Sequence, residues 1–173
     1  MIGAGQGVRT VAFLILIGAV LLLEKTALHF LRVAGVKPDL VLLLVIFNGV
    51  LKGPREGAFW GFIGGLIEDF ACGHYIGLHA LSKLCAGYVA GLVEVRVYKE
   101  SLFVAAVVVW GTSILAGAVV YLLLATLGIF VAPVEAFIRV IFPVAVYNAL
   151  VSLLFYRLFH RATFYGILKE ERF

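Results

Sequence analysis

The strongest constraint in this sequence is a series of long apolar runs, each set off from the next by charges, glycines or prolines. The clearest covers residues 102–127, which hold no charged side chain. A helix needs roughly 20 apolar residues at ~1.5 Å each to cross the hydrocarbon core of a bilayer. Only helices and closed barrels satisfy their own backbone there. Five further runs cover residues 11–31, 39–51, 56–72, 77–95 and 134–159. The run at 39–51 is short, Glu24 and Lys25 lie inside the first, and Arg139 and Pro143 interrupt the last. The pattern predicts an all-α integral membrane protein, a single polytopic domain over residues 1–173 with about six transmembrane helices.

Composition excludes the soluble alternative. The chain has 173 residues, of which 64% are hydrophobic and 14% charged, with a mean hydropathy of +1.12. A soluble domain is ~45–50% apolar and ~25% charged, and one this small leaves much of its surface in water. Lipid resolves the conflict by solvating apolar side chains on the outside. The net charge of +4 is not a nucleic-acid footprint, because the cations sit in short clusters between apolar runs, as in cytoplasmic loops. Cys72 and Cys85 lie in or beside apolar runs and imply no disulfide framework. Arg9 before the first run resembles a signal peptide, but no small-x-small cleavage site follows, so an uncleaved first helix is expected. Gly3, Gly5 and Gly7 follow no strand and make no nucleotide loop.

The breakers fall between the runs. Pro38 is expected at the start of the second helix, where its missing N–H is harmless. Gly53-Pro54 separates the second helix from the third, and Gly128 and Pro133 bracket the turn before the sixth. Pro143 is interior and is expected to kink the sixth helix. A re-entrant hairpin would put Lys52 and Arg55 near mid-bilayer at ~2.5–3.5 kcal/mol per charge or more, so two short spans are preferred. With the N-terminus inside, the inner segments carry Arg9, Lys52, Arg55, Arg96, Lys99, Arg157, Arg161, Lys169 and Arg172, against Lys25, Arg32 and Lys37 outside. Nine against three favours both termini in the cytoplasm.

Gly49, Gly53, Gly57, Gly61 and Gly65 recur every fourth residue, Gly73 and Gly77 extend the spacing, and Gly87 and Gly91 repeat it. Small residues let helix backbones approach closely in lipid. The ladder therefore reads as packing within the bundle, with a docking face for another membrane protein as the alternative. With this topology Glu24, Lys25, Glu68, Asp69, Lys83, Glu135 and Arg139 fall at similar depth, with His74 and His79 nearby. Charges at membrane depth face the interior and pair. An outer-half polar cluster is expected, with Glu68 or Asp69 on Lys83 and Glu135 on Arg139 at i,i+4. It reads as a paired network locking the bundle, with a water-filled ligand pocket or simple snorkelling to the surface as alternatives. Asn48 and Asn148 are expected to hydrogen-bond between helices.

Chemistry-bearing patterns are scarce. Cys72, His74, His79 and Cys85 are ligand types without a compact zinc spacing. There is no nucleophile elbow and no metalloprotease helix motif. Glu68 and Asp69 are adjacent and point apart on a helix. No catalytic residue, metal or cofactor is expected.

Three stretches carry a resemblance. Pro38-Asp39-Leu40 opens the second helix, Gly65-Leu66-Ile67-Glu68-Asp69 closes the third, and Gly77-Leu78-His79-Ala80-Leu81 leads to Gly87-Tyr88-Val89-Ala90-Gly91. In order and spacing these resemble the MreD family of bacterial rod-shape-determining membrane proteins, with Asp69 at the family's acidic position. The resemblance implies a non-enzymatic, multi-pass scaffold of the bacterial cytoplasmic membrane that supports peptidoglycan synthesis during elongation. It implies an MreC-like bitopic partner in an assembly with MreB, RodA and a class B penicillin-binding transpeptidase. From these motifs and the glycine ladder together, Pro38, Asp39, Gly57, Gly61, Gly65, Asp69, Gly77, Gly87 and Gly91 are expected to be structural and packing positions. The family is also similar in fold to the substrate-binding subunits of vitamin-uptake ECF transporters, which supports six helices without carrying the activity over. The alternative function is such an uptake subunit. It implies a ligand pocket open to the outside and an Ala-x-x-x-Ala docking pattern, which the first helix lacks.

Overall fold

The computed structural model describes residues 4–26, 36–73, 75–94 and 102–165. Among these, six helices follow one another: α1 Ala4–Thr26, α2 Leu40–Lys52, α3 Pro54–Cys72, α4 Leu78–Glu94, α5 Leu102–Thr126 and a composite α6. The last joins Pro133–Ala136, a π-helical turn Phe137–Ile141 and Phe142–Tyr165. Helix α5 and the first part of α6, Pro133–Phe155, are long and apolar enough to cross a membrane, whereas Leu40–Lys52 and Leu78–Val93 are shorter apolar helices.

The helix boundaries refine the sequence reading. The first helix begins earlier than residue 11, and its expected end at 27–31 lies outside the described residues, as do His74, Arg32, Arg96, Lys99, Lys169 and Arg172. Pro38 is not in the second helix. Asp39 takes the N-cap, its Oδ1 accepting from Leu42 N at 2.7 Å, because a short acceptor side chain satisfies a free N–H there that proline cannot help. Gly53 turns the chain at φ 100°, and Pro54 opens α3. In α6 the irregularity lies just before Pro143. Phe142 N donates to the Phe137 carbonyl, five residues back. Without an N–H on Pro143 the regular ladder breaks, and a π turn takes up the freed backbone.

Helix α2 lies at the centre. Ten of its 13 residues, from Val41 to Leu51, are buried, as its near-continuous apolar sequence requires of a helix hydrophobic on all sides. Phe13, Ile17 and Leu21 of α1 pack on it together with Trp60 of α3, Ala86 and Ala90 of α4, and Val109 of α5. The rings of Phe13 and Trp60 meet at 4.5 Å, and Trp60 Nε1 donates to Glu56 at 3.0 Å.

The tightest seam joins α3 to α4. A Cβ on Gly61 would strike the Lys83 carbonyl and meet Leu84 N at 2.9 Å, one on Gly57 would strike the Gly87 carbonyl, and one on Gly65 would meet Ala80 Cα at 2.5 Å. From the other side, Gly87 faces the Gly57 backbone and Gly91 the Pro54 backbone. Gly49 of α2 joins the same seam, its Cβ position 2.6 Å from the Gly87 carbonyl. The ladder thus serves backbone-to-backbone contact inside the bundle. Gly73 and Gly77 play another part, at φ 71° and 102° in the α3–α4 turn.

We expect Gly61→Leu to lower the stability of the detergent-solubilised protein by about 3 kcal/mol, the upper range for overpacking. Gly18→Ala, where nothing lies within 4 Å of the added carbon, should leave the thermal melting midpoint unchanged or slightly raised.

Candidate functional site: a buried charge node

The N-terminal ends of α2 and α4 meet the C-terminal ends of α1 and α3 at one end of the bundle. There α4 presents Lys83, whose side chain is 1% exposed. A cation this deep has two physical fates, loss of its charge or close pairing. Here it is paired twice. The ammonium contacts Asp39 Oδ2 and lies 2.6 Å from Glu68 Oε2. One side chain of α4 thereby joins the cap of α2 to the last turn of α3. Glu24 of α1 closes the group, with one oxygen from each of Glu24, Asp39 and Glu68 within 4.8 Å of the others. Such a trio has cation-ligand chemistry, and the Lys83 ammonium supplies the positive charge to two of its three members.

Asp69 performs a different task. Its carboxylate accepts from the backbone N–H groups of Gly77 at 2.8 Å, His79 at 3.0 Å and Ala80 at 3.1 Å. It is therefore the N-terminal cap of α4, supplied from the preceding helix. The orphan donors and positive dipole end of a helix favour an anion there. His79 Nδ1 lies 2.8 Å from Asp69 Oδ1. An ionised carboxylate only accepts, so Nδ1 carries the proton, and Nε2 is left 3.9 Å from Glu68 Oε1. Adjacent residues on a helix diverge, so Glu68 reaches Lys83 while Asp69 caps α4. The positive φ at Gly73 and Gly77 turns the chain back tightly enough for Asp69 to cap α4.

A second arm leaves Asp39. Its N–H donates to Asn148 Oδ1 at 2.9 Å, and Asn148 Nδ2 donates to Ser113 Oγ at 3.1 Å. Helices α6 and α5 are thus tied to the same node. Above it a cavity of about 340 Å³ has Asp39, His79, Ser82 and Ser113 among its lining residues, with apolar residues of α5 and α6.

The sequence-predicted residues divide as follows. Glu24, Glu68, Asp69 and Lys83 come together. Lys25 is beside them but exposed, donating to Cys72 Sγ at 3.1 Å. Glu135 and Arg139 do not join the cluster. They pair with each other at 3.0 Å with side chains 48% and 76% exposed, because α6 extends well past the node before reaching Asn148. Asn48 also departs from expectation, being fully buried with neither side-chain polar atom hydrogen-bonded within the described structure. Neither Cys72 nor Cys85 is in a disulfide. Sequence reasoning placed Asp39 only as a helix opener and missed its pairing with Lys83. The signal was present, since alternate spans run parallel, so a carboxylate at the N-cap of α2 stands at the same bilayer level as a lysine near the start of α4.

These features define a helical membrane protein held at one end by a buried charge node. The family model of the rod shape-determining protein MreD matches residues 7–162, and the chain belongs to the MreD family, whose role is rod-shape determination. No curated protein and no solved structure shows a significant match.

Lys83→Met should cost about 3–5 kcal/mol, the scale for stranding buried partners of an ion pair, with part regained on adding Glu68→Gln. Asp69→Ala should cost about 2 kcal/mol as a lost cap, and Asp69→Asn less, since asparagine also caps. Thermal unfolding in mild detergent checks both orders. Equal losses for Asp69→Ala and Asp69→Asn would contradict the capping role.

Proposed function

We propose that this protein is a non-enzymatic scaffold of the bacterial cell-elongation complex that binds an MreC-like bitopic protein in the cytoplasmic membrane and so supports peptidoglycan synthesis. The observation that carries the reading is the family match over residues 7–162. The fold fits a scaffold in one respect. The buried charged side chains Asp39, Glu68, Asp69 and Lys83 join helices to one another. Both termini lie in the cytoplasm in this reading, and the node faces the outer half of the bilayer. Lys52, Arg55 and the basic tail lie near the anionic leaflet.

The partner's helix docks on apolar surface that the bundle leaves open. The Gly57, Gly61 and Gly65 face is filled by α4, so it is not the docking face. Ile15 and Leu22 of α1, Phe103 and Trp110 of α5, and Leu150 and Leu154 of α6 are exposed. These faces meet lipid and the partner. MreB, RodA and a class B penicillin-binding transpeptidase complete the assembly through or beside that partner.

Co-purification in mild detergent with an MreC-like protein is expected. Its failure, together with tight binding of a vitamin, would overturn the scaffold reading in favour of an uptake subunit. For the topology, Gly128→Cys in a Cys72→Ser/Cys85→Ser background should react with a membrane-impermeant maleimide added outside intact spheroplasts. Labelling only after lysis would reverse the orientation.

A further inference from the structure

The cavity above the node has a composition that the scaffold role does not use. Ser113 of α5 and Asn148 of α6 mark the level of Asp39. Beyond that level α5 continues for 13 residues to Thr126 and α6 for 15 to Pro133, about 20 Å each along their axes. The two helices therefore rise past the N-terminal ends of α2 and α4 and form apolar walls. Val120 and Leu124 line one side, Val140 and Val144 the other. Gly117, where an added Cβ would meet Ile141 at 2.9 Å, brings the walls close at their base. The floor is polar, with Asp39, His79, Ser82 and Ser113.

The charge of that floor selects among occupants. Among the lining residues the one charged side chain is the Asp39 carboxylate, and no lysine or arginine lines the cavity, Lys83 lying buried behind Asp39. Lys25 is exposed and directed to Cys72. An anion entering the cavity meets like charge at low dielectric. A hydrocarbon chain alone strips water from the floor and returns no hydrogen bond. An ammonium group satisfies both conditions, because the two Asp39 oxygens, each with one partner, and the Ser113 hydroxyl retain acceptor capacity beyond the bonds already made. The volume of about 340 Å³ falls at the lower end of small-molecule sites, which run from ~300 to 1,000 Å³.

We propose that this cavity binds a small amphipathic amine, its ammonium seated between Asp39, His79 and Ser113 and its apolar body lying between α5 and α6. This stands on the cavity and its charge, and holds whether or not the scaffold reading does.

The test uses the full-length protein in phosphatidylcholine nanodiscs, with a diazirine-bearing dodecylamine as probe. Photolabelling should fall on the peptides that carry Val120 and Val144. Octylamine should displace it about ten-fold better than octanoate, one decade of relative affinity. Val120→Trp and Val144→Trp fill the cavity without touching the ion pairs, and each should abolish the labelling while the melting midpoint holds. Equal competition by octylamine and octanoate overturns the proposal. So does labelling confined to the lipid-facing Phe103 and Leu154, or labelling that survives both tryptophan variants. Where a tryptophan variant fails to fold, the competition on the unaltered protein decides alone.

Discussion

The Lys83 ammonium is the interaction on which the arrangement of the helices depends. A lysine at membrane depth costs at least ~2.5–3.5 kcal/mol on insertion scales unless it finds partners. Here the partners come from two other helices, Asp39 and Glu68, with Glu24 of a third beside them. Asp39 also caps α2 and, through Asn148, connects to α6 and α5. Each of the six helices therefore contributes a polar group to one end of the bundle. Displacing any of them exposes a charge or an amide to hydrocarbon.

The glycine seam solves the complementary problem. Apolar side chains gain nothing by leaving lipid of equal polarity, so helices associate in membranes through close backbone packing and polar bonds. Gly57, Gly61 and Gly65 bring α3 against the backbone of α4. This contact places Glu68 within reach of Lys83, about two turns along α3 from where Gly61 meets the Lys83 carbonyl. It also brings the last turn of α3 close enough for Asp69 to cap α4. Bulk on the seam would separate the charges, and loss of the charges would leave the seam without a fixed register.

Much of this was legible in the sequence. Hydropathy and breakers located six helices because lipid imposes length and apolarity directly on the chain. The four-residue glycine spacing announced close packing, and membrane charges announced a cluster. What the sequence did not reveal was partner choice. Lys83 had two adjacent acidic candidates, and only the geometry of the Gly73–Gly77 turn separates the one that pairs from the one that caps. Asp39 was hidden by the expectation that Pro38 opens α2. Glu135 and Arg139 were assigned to the cluster by counting spans, which assumes helices of equal reach. Helices α5 and α6 break that assumption, because they continue far beyond the ends of α2 and α4. Asn48 remains buried and unpaired within the described structure, with no physical account in its surroundings.

The node is better understood as a device for specificity than as a source of stability. In a soluble core a buried ion pair competes with a well-packed apolar substitute and often loses. In lipid the apolar substitute fits one neighbour about as well as another, since helices and acyl chains are similar in polarity. A charge accepts only its counter-charge. Lys83 therefore excludes pairings of α4 that do not present Asp39 and Glu68, and the Asp69 cap excludes registers in which α3 ends elsewhere. A bundle specified in this way keeps its shape while its outer faces remain greasy and exchangeable, which is the property a membrane scaffold needs to receive partners without rearranging itself.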